Sequence, residues 1–403
     1  MKEFLKKELY SFRAVAAILA RWLLLAVPTG LVCGAVGTAF HLAVEHVTEW
    51  RAEHIWLLWL LPVAGLAIVV LYKVTGCEGM GTNNVIRAVH SGESVSPLLV
   101  PAIFFGTVLT HLCGGSAGRE GAALQIGGGI GYRTGRLLHL GEKDLPLATL
   151  CGMAGVFSAL FGTPLTATIF ALEVISVGVL YYAGLLPCIT ASLTGYYIAL
   201  LMGVEPTRFV VEAPALEGWT LLRVAVLGAG CALVSVLFCG VIHGAEHQLK
   251  RRIPNPWLRA VIGGCVVIAL TYLCGTTDYN GAGMDIITAA VERGTAHPAA
   301  FLLKILFTAV TLGAGFKGGE VVPSFFVGAC FGCVLGGAIG LPAGFGAAIG
   351  LVAVFCGAVN CPIASVFLSI ELFSTGDVLY FAMACAISYL LSGYCGLYSS
   401  QTI

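Results

Sequence analysis

The chain has 403 residues, of which 58% are hydrophobic and only 10% are charged, and its formal net charge is zero. Soluble proteins carry roughly 25% charged residues, so this composition excludes a soluble globular protein and indicates several membrane-spanning helices. The balanced charge gives no sign of a nucleic-acid partner.

Apolar stretches approach the ~20 residues that a spanning helix needs at several places. They lie at 55–72, 96–112, 180–202, 221–243, 257–274 and 377–393. The stretches 323–339 and 363–373 are expected to be too short or too rich in glycine to span a bilayer alone. The first apolar segment begins too late and runs too long for a cleavable signal peptide.

Basic residues cluster in three places. They are Lys2, Lys6, Lys7 and Arg13; Arg133, Arg136 and Lys143; and Lys250, Arg251, Arg252 and Arg259. The positive-inside rule assigns all three clusters to the cytoplasmic side. This predicts a multi-pass protein of the cell inner (cytoplasmic) membrane with both termini in the cytoplasm.

The 15 cysteines are scattered through apolar segments. Cys330 and Cys333 form the only CxxC pair, and a zinc site needs four ligands. The cysteines are therefore expected to be small core residues, and no metal site is predicted.

The chain aligns with itself at an offset of 198 residues, so that residues 152–173 match residues 350–371. The identities are Gly152, Val156, Phe157, Pro164 and Glu173 with Gly350, Val354, Phe355, Pro362 and Glu371. The same offset carries Arg119 onto Lys317 and Gly121 onto Gly319. The shared order of basic residue, glycine, Phe, Pro and Glu makes chance identity a poor explanation.

This offset predicts two structural repeats, near 14–202 and 219–393, within one transmembrane domain (1–403) that carries no appended soluble domain. Transporters built from such repeats bind their substrate near the middle of the membrane, where broken helices meet.

Three glycine-rich breaks interrupt the apolar pattern, at 79–84, 118–122 and 318–323. The second contains Glu120, a carboxylate whose placement in a bilayer core costs on the order of 3 kcal/mol. A helix that begins at such a break offers free N–H groups and about half a positive charge. An anion is therefore the expected ligand.

The breaks resemble the signature loops of the CLC family of chloride channels and proton-coupled anion antiporters, and the resemblance covers most of the chain. The string Gly118-Arg119-Glu120-Gly121, with Gln125 after it, is the most diagnostic part. The run of Phe, Pro, Leu and Glu residues at 157–173 and the C-terminal Tyr398 resemble two further family segments. On this resemblance, Glu120 is the gating glutamate and Tyr398 the inner-gate tyrosine.

The resemblance implies an all-α polytopic membrane protein with a CLC-like fold, two inverted-topology repeats and broken helices that meet at mid-membrane. It also implies a homodimer in which each subunit has its own pathway.

Several departures from the family pattern are informative. Met80 replaces a serine that contacts the anion, Glu320 is an added acid in the third break, and Val174 stands where chloride antiporters have a second acid. These departures resemble the fluoride-exporting subclass, which exchanges fluoride for protons. Ala122 replaces a common proline, and this departure is unexplained.

The resemblance thus implies proton-coupled fluoride export, with no cofactor and no enzymatic activity. Glu120 is the expected gate and proton carrier. The expected anion-binding residues are Met80, Gly81, Gly118, Gly121, Val321, Val322 and Tyr398. The alternative is a chloride/proton antiporter or a voltage-gated-type chloride channel of the same family.

Some roles stay open. Glu320 is either a second proton station or a carboxylate that caps a helix. Arg119 and Lys317 either give a vestibule a positive field or snorkel to the interface. Glu173 and Glu371 are expected to bond to backbone or to neighbouring helices.

Two strings typical of soluble enzymes carry little weight in so glycine-rich a chain. Residues 114–118 match GxSxG around Ser116, which is the only basis for an intramembrane hydrolase. Residues 313–318 match GxGxxG but follow an apolar helix-like run instead of a βαβ unit.

Overall fold

The computed structural model of the chain describes residues 2–373 and 378–402, with side chains from residue 16 onward. Lys2, Lys6, Lys7 and Arg13 therefore lie outside the described side chains. The α-helices of the described residues are α1 (Lys2–Glu53), α2 (Leu61–Val74), α3 (Thr82–Ser91), α4 (Leu99–Leu112), α5 (Glu120–Leu137), α6 (Leu145–Phe161), α7 (Pro164–Glu173), α8 (Leu185–Leu201), α9 (Gly218–Arg252), α10 (Pro256–Cys274), α11 (Met284–Glu292), α12 (Ala300–Gly313), α13 (Val321–Ala338), α14 (Ala343–Val359), α15 (Pro362–Phe373) and α16 (Val378–Ser392). Short 3-10 helices, Ile55–Leu60 and Tyr182–Gly184, precede α2 and α8.

Six helical segments of the described chain are long and apolar enough to cross a membrane. They are Ala16–Glu53, Ile55–Val74, Tyr182–Leu201, Gly218–Arg252, Pro256–Cys274 and Val321–Ala338. The prediction of an all-helical, multi-pass membrane protein is thereby confirmed.

Two predictions about individual stretches were wrong. The helix in 96–112 has only 14 residues, because the chain forms a turn at 97–98 before α4 begins. The stretch 377–393 starts outside the described residues, and its described helix, α16, has 15 residues. Conversely, α13 runs unbroken for 18 residues through the glycines of 323–339. The stretch 363–373 lies in α15, which has 12 described residues.

Those glycines let α13 lie directly against α14. A Cβ on Gly328 would overlap the Gly350 carbonyl, and one on Gly332 would overlap the Gly346 carbonyl. The α5–α6 contact has the same design, with Gly127 against Gly152. Small residues at such crossings allow the close backbone approach that stabilises helix pairs in a membrane. These two helix pairs form the centre of the molecule, where α6 and α14 are almost wholly buried.

The two halves of the chain share local backbone detail. Gly162 caps the C-terminus of α6 and Asn360 that of α14, and both residues are left-handed, with φ of 69° and 57°. Each is followed two residues later by the proline that begins the next helix, Pro164 or Pro362. These equivalences follow the offset of 198 residues that the sequence indicates.

The offset changes at the breaks. Gly118 bridges to Gly319, and the helices that follow begin at Glu120 and Val321, so the structural offset here is 201 residues. The difference arises because the α13–α14 connection is three residues shorter than the α5–α6 connection. The predicted equivalence of Arg119 with Lys317 was therefore wrong: Arg119 precedes α5 as Glu320 precedes α13.

Candidate ion pathway

The second and third breaks lie side by side. Gly118 N–H donates to the Gly319 carbonyl, and Gly319 N–H donates to the Gly118 carbonyl, each at 2.7 Å. Side chains here would prevent the approach, since a Cβ on Gly121 would lie 2.8 Å from Gly319 Cα. The N-termini of α5 and α13, one from each half of the chain, are thereby held together.

The first break joins them through α3. The Thr82 hydroxyl, in the first residue of α3, donates to the Gly121 carbonyl at 3.3 Å. Gln125 Nε2 donates to the Thr82 hydroxyl at 3.2 Å and to the same carbonyl at 3.3 Å. Three helix N-termini thus converge, as the pattern of breaks predicts. Their free N–H groups and aligned peptide dipoles favour negative charge at this place.

Glu120 is the first residue of α5, and its side chain is 1% exposed. Its Oε2 accepts a hydrogen bond from the Arg119 amide at 2.9 Å. The Arg119 Nε lies 3.5 Å from Oε1, which has no hydrogen-bond partner among the described residues. Gly118 leaves room for this carboxylate, because a Cβ there would lie 2.7 Å from Oε2. This buried carboxylate is therefore held by one backbone hydrogen bond and by its ion pair with Arg119.

Two cavities approach this centre. The Glu120 cavity, about 470 Å³, is lined by Arg119, Glu120 and Val322, together with residues of α1 and α4. The Glu320 cavity, about 370 Å³, has predicted site residues in its wall. They are Met80, Gly81, Lys317, Glu320 and Tyr398.

The paired breaks lie between the two cavities. Val321 and Val322 are buried there at the start of α13. Four polar atoms near this position have no hydrogen-bond partner within the described chain. They are Glu120 Oε1, Gln125 Oε1, Glu320 Oε2 and the Tyr398 hydroxyl. Buried polar groups are normally satisfied, so unpartnered atoms between two cavities are a feature expected of an ion pathway.

Glu320 occupies the N-cap position of α13 but makes no side-chain capping hydrogen bond. Its Oε2 lies 3.0 Å from the place that a Cβ on Gly121 would take, beside the start of α5. The interpretation of Glu320 as a capping carboxylate therefore lacks the hydrogen bond that a cap would make.

Arg119 and Lys317 line different cavities. Lys317 Nζ lies 4.0 Å from the centroid of the Tyr72 ring, a cation–π contact within the Glu320 cavity. Both side chains face cavities instead of the outer surface of the protein, which argues against snorkelling.

The C-terminal segment closes one side of the Glu320 cavity. Tyr398 is 4% exposed. The segment is held to α3 by the Ser400 amide, which donates to Asn83 Oδ1 at 3.1 Å. It is held to α14 by the Leu397 amide, which donates to the Ala358 carbonyl at 2.8 Å.

Glu173 and Glu371 lie away from both cavities and form a reciprocal arrangement. Glu173, at the end of α7, accepts hydrogen bonds from the amides of Ile363 and Ala364 at 3.1 and 2.8 Å, at the start of α15. Glu371, in α15, accepts from the amides of Leu165 and Thr166 at 2.9 and 2.8 Å, at the start of α7. The expectation that both carboxylates bond to neighbouring helices is confirmed.

The soluble-enzyme strings have structural explanations. The Ser116 hydroxyl lies 3.1 Å from the Thr308 hydroxyl, so its neighbour is another alcohol and not a base.

The cysteines are buried except for Cys265, Cys274 and Cys395, as expected of core residues. Within the described residues, no group of three or more His, Cys, Asp or Glu side chains is placed to hold a metal ion.

Sequence reasoning missed a polar group in the Glu120 cavity. Arg51 and His111 line the cavity, and a wholly buried Lys304 lies nearby, donating to the Gly281 carbonyl at 2.7 Å. A lysine within the apolar run 300–313 was the available signal, since such a charge needs a buried partner.

Comparisons with known proteins place this geometry in a family. The model of the family described as "Voltage gated chloride channel" matches residues 64–393. A "Chloride/fluoride channel protein" of Pseudomonas syringae pv. tomato is 36% identical, over 96% of this chain and 87% of the relative. An H+/Cl− exchange transporter of Vibrio cholerae is 26% identical, over 87% of this chain and 81% of the relative.

Solved structures of CLC proteins have the same fold as this chain. A crystal structure of a CLC-type fluoride/proton antiporter superposes with a TM-score of 0.91 at 33% identity, covering 95% of this chain and 98% of that one. A slow cyanobacterial Cl−/H+ antiporter gives a TM-score of 0.80 at 18% identity, covering 92% and 94%, a likeness of fold alone. The chain belongs to the CLC family of chloride channels and anion transporters, and it has the inverted-repeat CLC fold.

Proposed function

We propose that this protein is a secondary active transporter that exports fluoride in exchange for protons across the bacterial cytoplasmic membrane. The observation that carries the proposal is the buried Glu120 carboxylate, which stands at paired helix N-termini between two cavities and has one oxygen that accepts no hydrogen bond within the described residues. The relative whose name includes fluoride and the fluoride/proton antiporter structure support the choice of ion.

Glu120 is the gate and the proton carrier in this proposal. As a carboxylate it occupies an anion position at the N-terminus of α5, where the Arg119 amide holds it. Protonation removes its attraction to the helix termini, and the side chain moves aside for a fluoride ion. Because proton and anion favour different states of the same side chain, their movements are coupled.

The fluoride path is formed by the residues that surround the paired breaks. Met80, Gly81, Gly118, Gly121, Val321, Val322 and Tyr398 line it. Glu320 relays protons to and from its own cavity, and Arg119 and Lys317 attract anions into the two cavities.

Selectivity is assigned to Met80 and to the protonated carboxyls. Methionine offers no hydroxyl donor, so a weakly basic anion loses a hydrogen bond that a serine at this position would supply. Fluoride is small and is the anion of a weak acid, so it accepts a strong hydrogen bond from protonated Glu120.

The Glu320 cavity is assigned to the cytoplasmic side. Lys250 and Arg259 line it, and both belong to a basic cluster that the positive-inside rule puts in the cytoplasm. The Glu120 cavity then opens to the outside. The protein is proposed to be a homodimer with cytoplasmic termini, and its repeats to span about 14–202 and 219–393.

The test replaces Glu120 with glutamine, which keeps the shape of the side chain but cannot carry a proton. In liposomes loaded with fluoride, the wild-type protein should release fluoride with uptake of protons, and Glu120→Gln should abolish the proton movement. Glu246→Gln is the control, because Glu246 lines the Glu320 cavity but pairs with Lys250. Proton-coupled flux that survives in Glu120→Gln would overturn the proposal, and chloride flux equal to fluoride flux would favour the chloride alternative.

A further inference from the structure

The floor of the Glu120 cavity holds two polar atoms that lack partners. His111 is 1% exposed, and its Nε2 has no hydrogen-bond partner within the described residues. Arg51 Nη1 is likewise buried and unpartnered, and no carboxylate forms an ion pair with Arg51 in the described chain. The two side chains come from different helices, α1 and α4, and both line the cavity. Leaving such groups unsatisfied costs about 1–3 kcal/mol each, so a small ligand that contacts both is favoured.

The geometry fixes the tautomer of His111. Its Nδ1 lies 2.9 Å from the Thr107 carbonyl, which can only accept a hydrogen bond, so Nδ1 carries a proton. In the neutral ring Nε2 therefore carries a lone pair and can only accept a hydrogen bond. It becomes a donor only when the ring takes up a second proton. An anion held by Arg51 would then receive a hydrogen bond from His111 as well.

Other charged groups lie near this pair. Arg119 lines the same cavity, and the buried Lys304 donates to the Gly281 carbonyl beside it. Repulsion between these cations and an imidazolium is offset when an anion lies between them, so anion and proton are expected to arrive together. The carboxylates that line the same cavity are the buried Glu120 and the exposed Glu45, Glu49, Asp278 and Asp285.

The exposed acids form a rim above the basic floor. A negative rim raises the local concentration of protons and repels anions that approach from outside. It therefore supplies the proton that His111 needs and favours the departure of an anion released from below.

We infer that Arg51 and His111 form a second anion site, on the floor of the Glu120 cavity, which takes a small, weakly acidic anion such as fluoride together with one proton. This inference rests on the proposed function, in which the cavity is the exit route. The site uses side chains of α1 and α4, whereas the paired helix N-termini belong to α5 and α13.

Binding calorimetry tests the inference without any transport. Fluoride is titrated into the purified protein carrying Glu120→Gln and Glu320→Gln, which removes the carboxyls of the proposed pathway. Titrations in two buffers of different ionisation enthalpy give the number of protons bound with each fluoride. We expect about one proton per fluoride, because binding and protonation are linked.

Adding His111→Gln should abolish the linked proton uptake, and adding Arg51→Gln should weaken binding about tenfold, with partial rescue by Arg51→Lys. His46→Gln is the matched control, because His46 is an exposed histidine of α1 outside the cavity lining. If His111→Gln does not fold, the inference is still tested by two measurements. They are the fluoride affinity of the Arg51 variants and the number of protons that the parent protein binds with each fluoride. No proton uptake in the parent, or uptake and affinity unchanged in the variants, would mean that the pair holds only water. Failure of the proposed function would appear separately, as wild-type vesicles without proton-coupled fluoride flux.

Discussion

Two carboxylates of this protein each accept two backbone hydrogen bonds, while a third accepts only one. Glu173 and Glu371 each accept two backbone hydrogen bonds at the start of a helix in the opposite half of the chain. Glu120 accepts one, and its other oxygen, beside a cavity, accepts no hydrogen bond and faces the Arg119 guanidinium. The number of backbone donors that face each carboxyl therefore separates structural acids from the candidate gate.

The first prediction concerns the structural acids. Glu173→Ala should lower the free energy of unfolding by about 1–3 kcal/mol, because two amide groups at the start of α15 lose their buried acceptor. Glu371→Ala should do the same at α7. Thermal unfolding in detergent measures the loss, and transport per folded molecule should be unchanged. A variant that stays stable yet loses proton coupling would instead assign Glu173 to transport.

The second prediction concerns selectivity. Met80→Ser should raise chloride flux relative to fluoride flux about fivefold, since a new hydroxyl donor to the anion is worth about 1 kcal/mol. Efflux of the two anions from liposomes gives the ratio. Met80→Ala is the control, because it removes the same bulk without adding a donor. An equal change in both variants would show that volume, not hydrogen bonding, matters at this position.

At this scale the sequence indicated some residues and not others. Glu120 was predictable because a carboxylate in a glycine-rich break between apolar runs is rare and costly. That Arg51 and His111 line one cavity was not predictable. Their proximity depends on the packing of α1 against α4, two helices that are distant in the sequence. Nor was the lack of a cap at Glu320, which depends on the side-chain direction at the start of α13.

At the scale of elements, the paired breaks depend on how closely the helices behind them approach. Gly152→Val should disrupt folding, because even a Cβ at this position would overlap the Gly127 carbonyl. Gly244→Ala in α9 is the control: a Cβ there has no neighbour within 4 Å, and alanine favours the helix by roughly 0.5–1 kcal/mol. The fraction of monodisperse protein after size-exclusion chromatography measures the difference. Full yield of Gly152→Val would contradict the close α5–α6 crossing.

The register of the two halves was predictable only in part. The offset of 198 residues holds for α6 and α14 and for the starts of α7 and α15, because Gly162 and Asn360 end the first pair and prolines begin the second. It fails at the breaks, since the connection after α13 is three residues shorter than the one after α5. An ungapped comparison of the chain with itself cannot detect a loop deletion, and this is why Lys317 was matched with Arg119.

At the scale of the whole molecule, the two cavities are predicted to open to opposite sides of the membrane. Asp285 lines the Glu120 cavity and Lys250 lines the Glu320 cavity, and both are exposed. In a Cys265→Ser background, a membrane-impermeant maleimide should label Asp285→Cys on intact cells and Lys250→Cys only after permeabilisation. The control is the Cys265→Ser protein without an introduced cysteine at position 285 or 250. The reverse pattern would invert the assigned topology and the direction of export.

The central claim is that movement of protons and movement of fluoride are one coupled process through Glu120. The most direct test is to impose a pH gradient on liposomes that hold the same fluoride concentration on both sides, with the membrane potential clamped at zero. The account predicts that fluoride leaves an alkaline interior for an acidic exterior, against the concentration difference that this movement creates, and that Glu120→Gln prevents it. Fluoride that remains at equal concentrations in wild-type vesicles would contradict the account and indicate a passive channel.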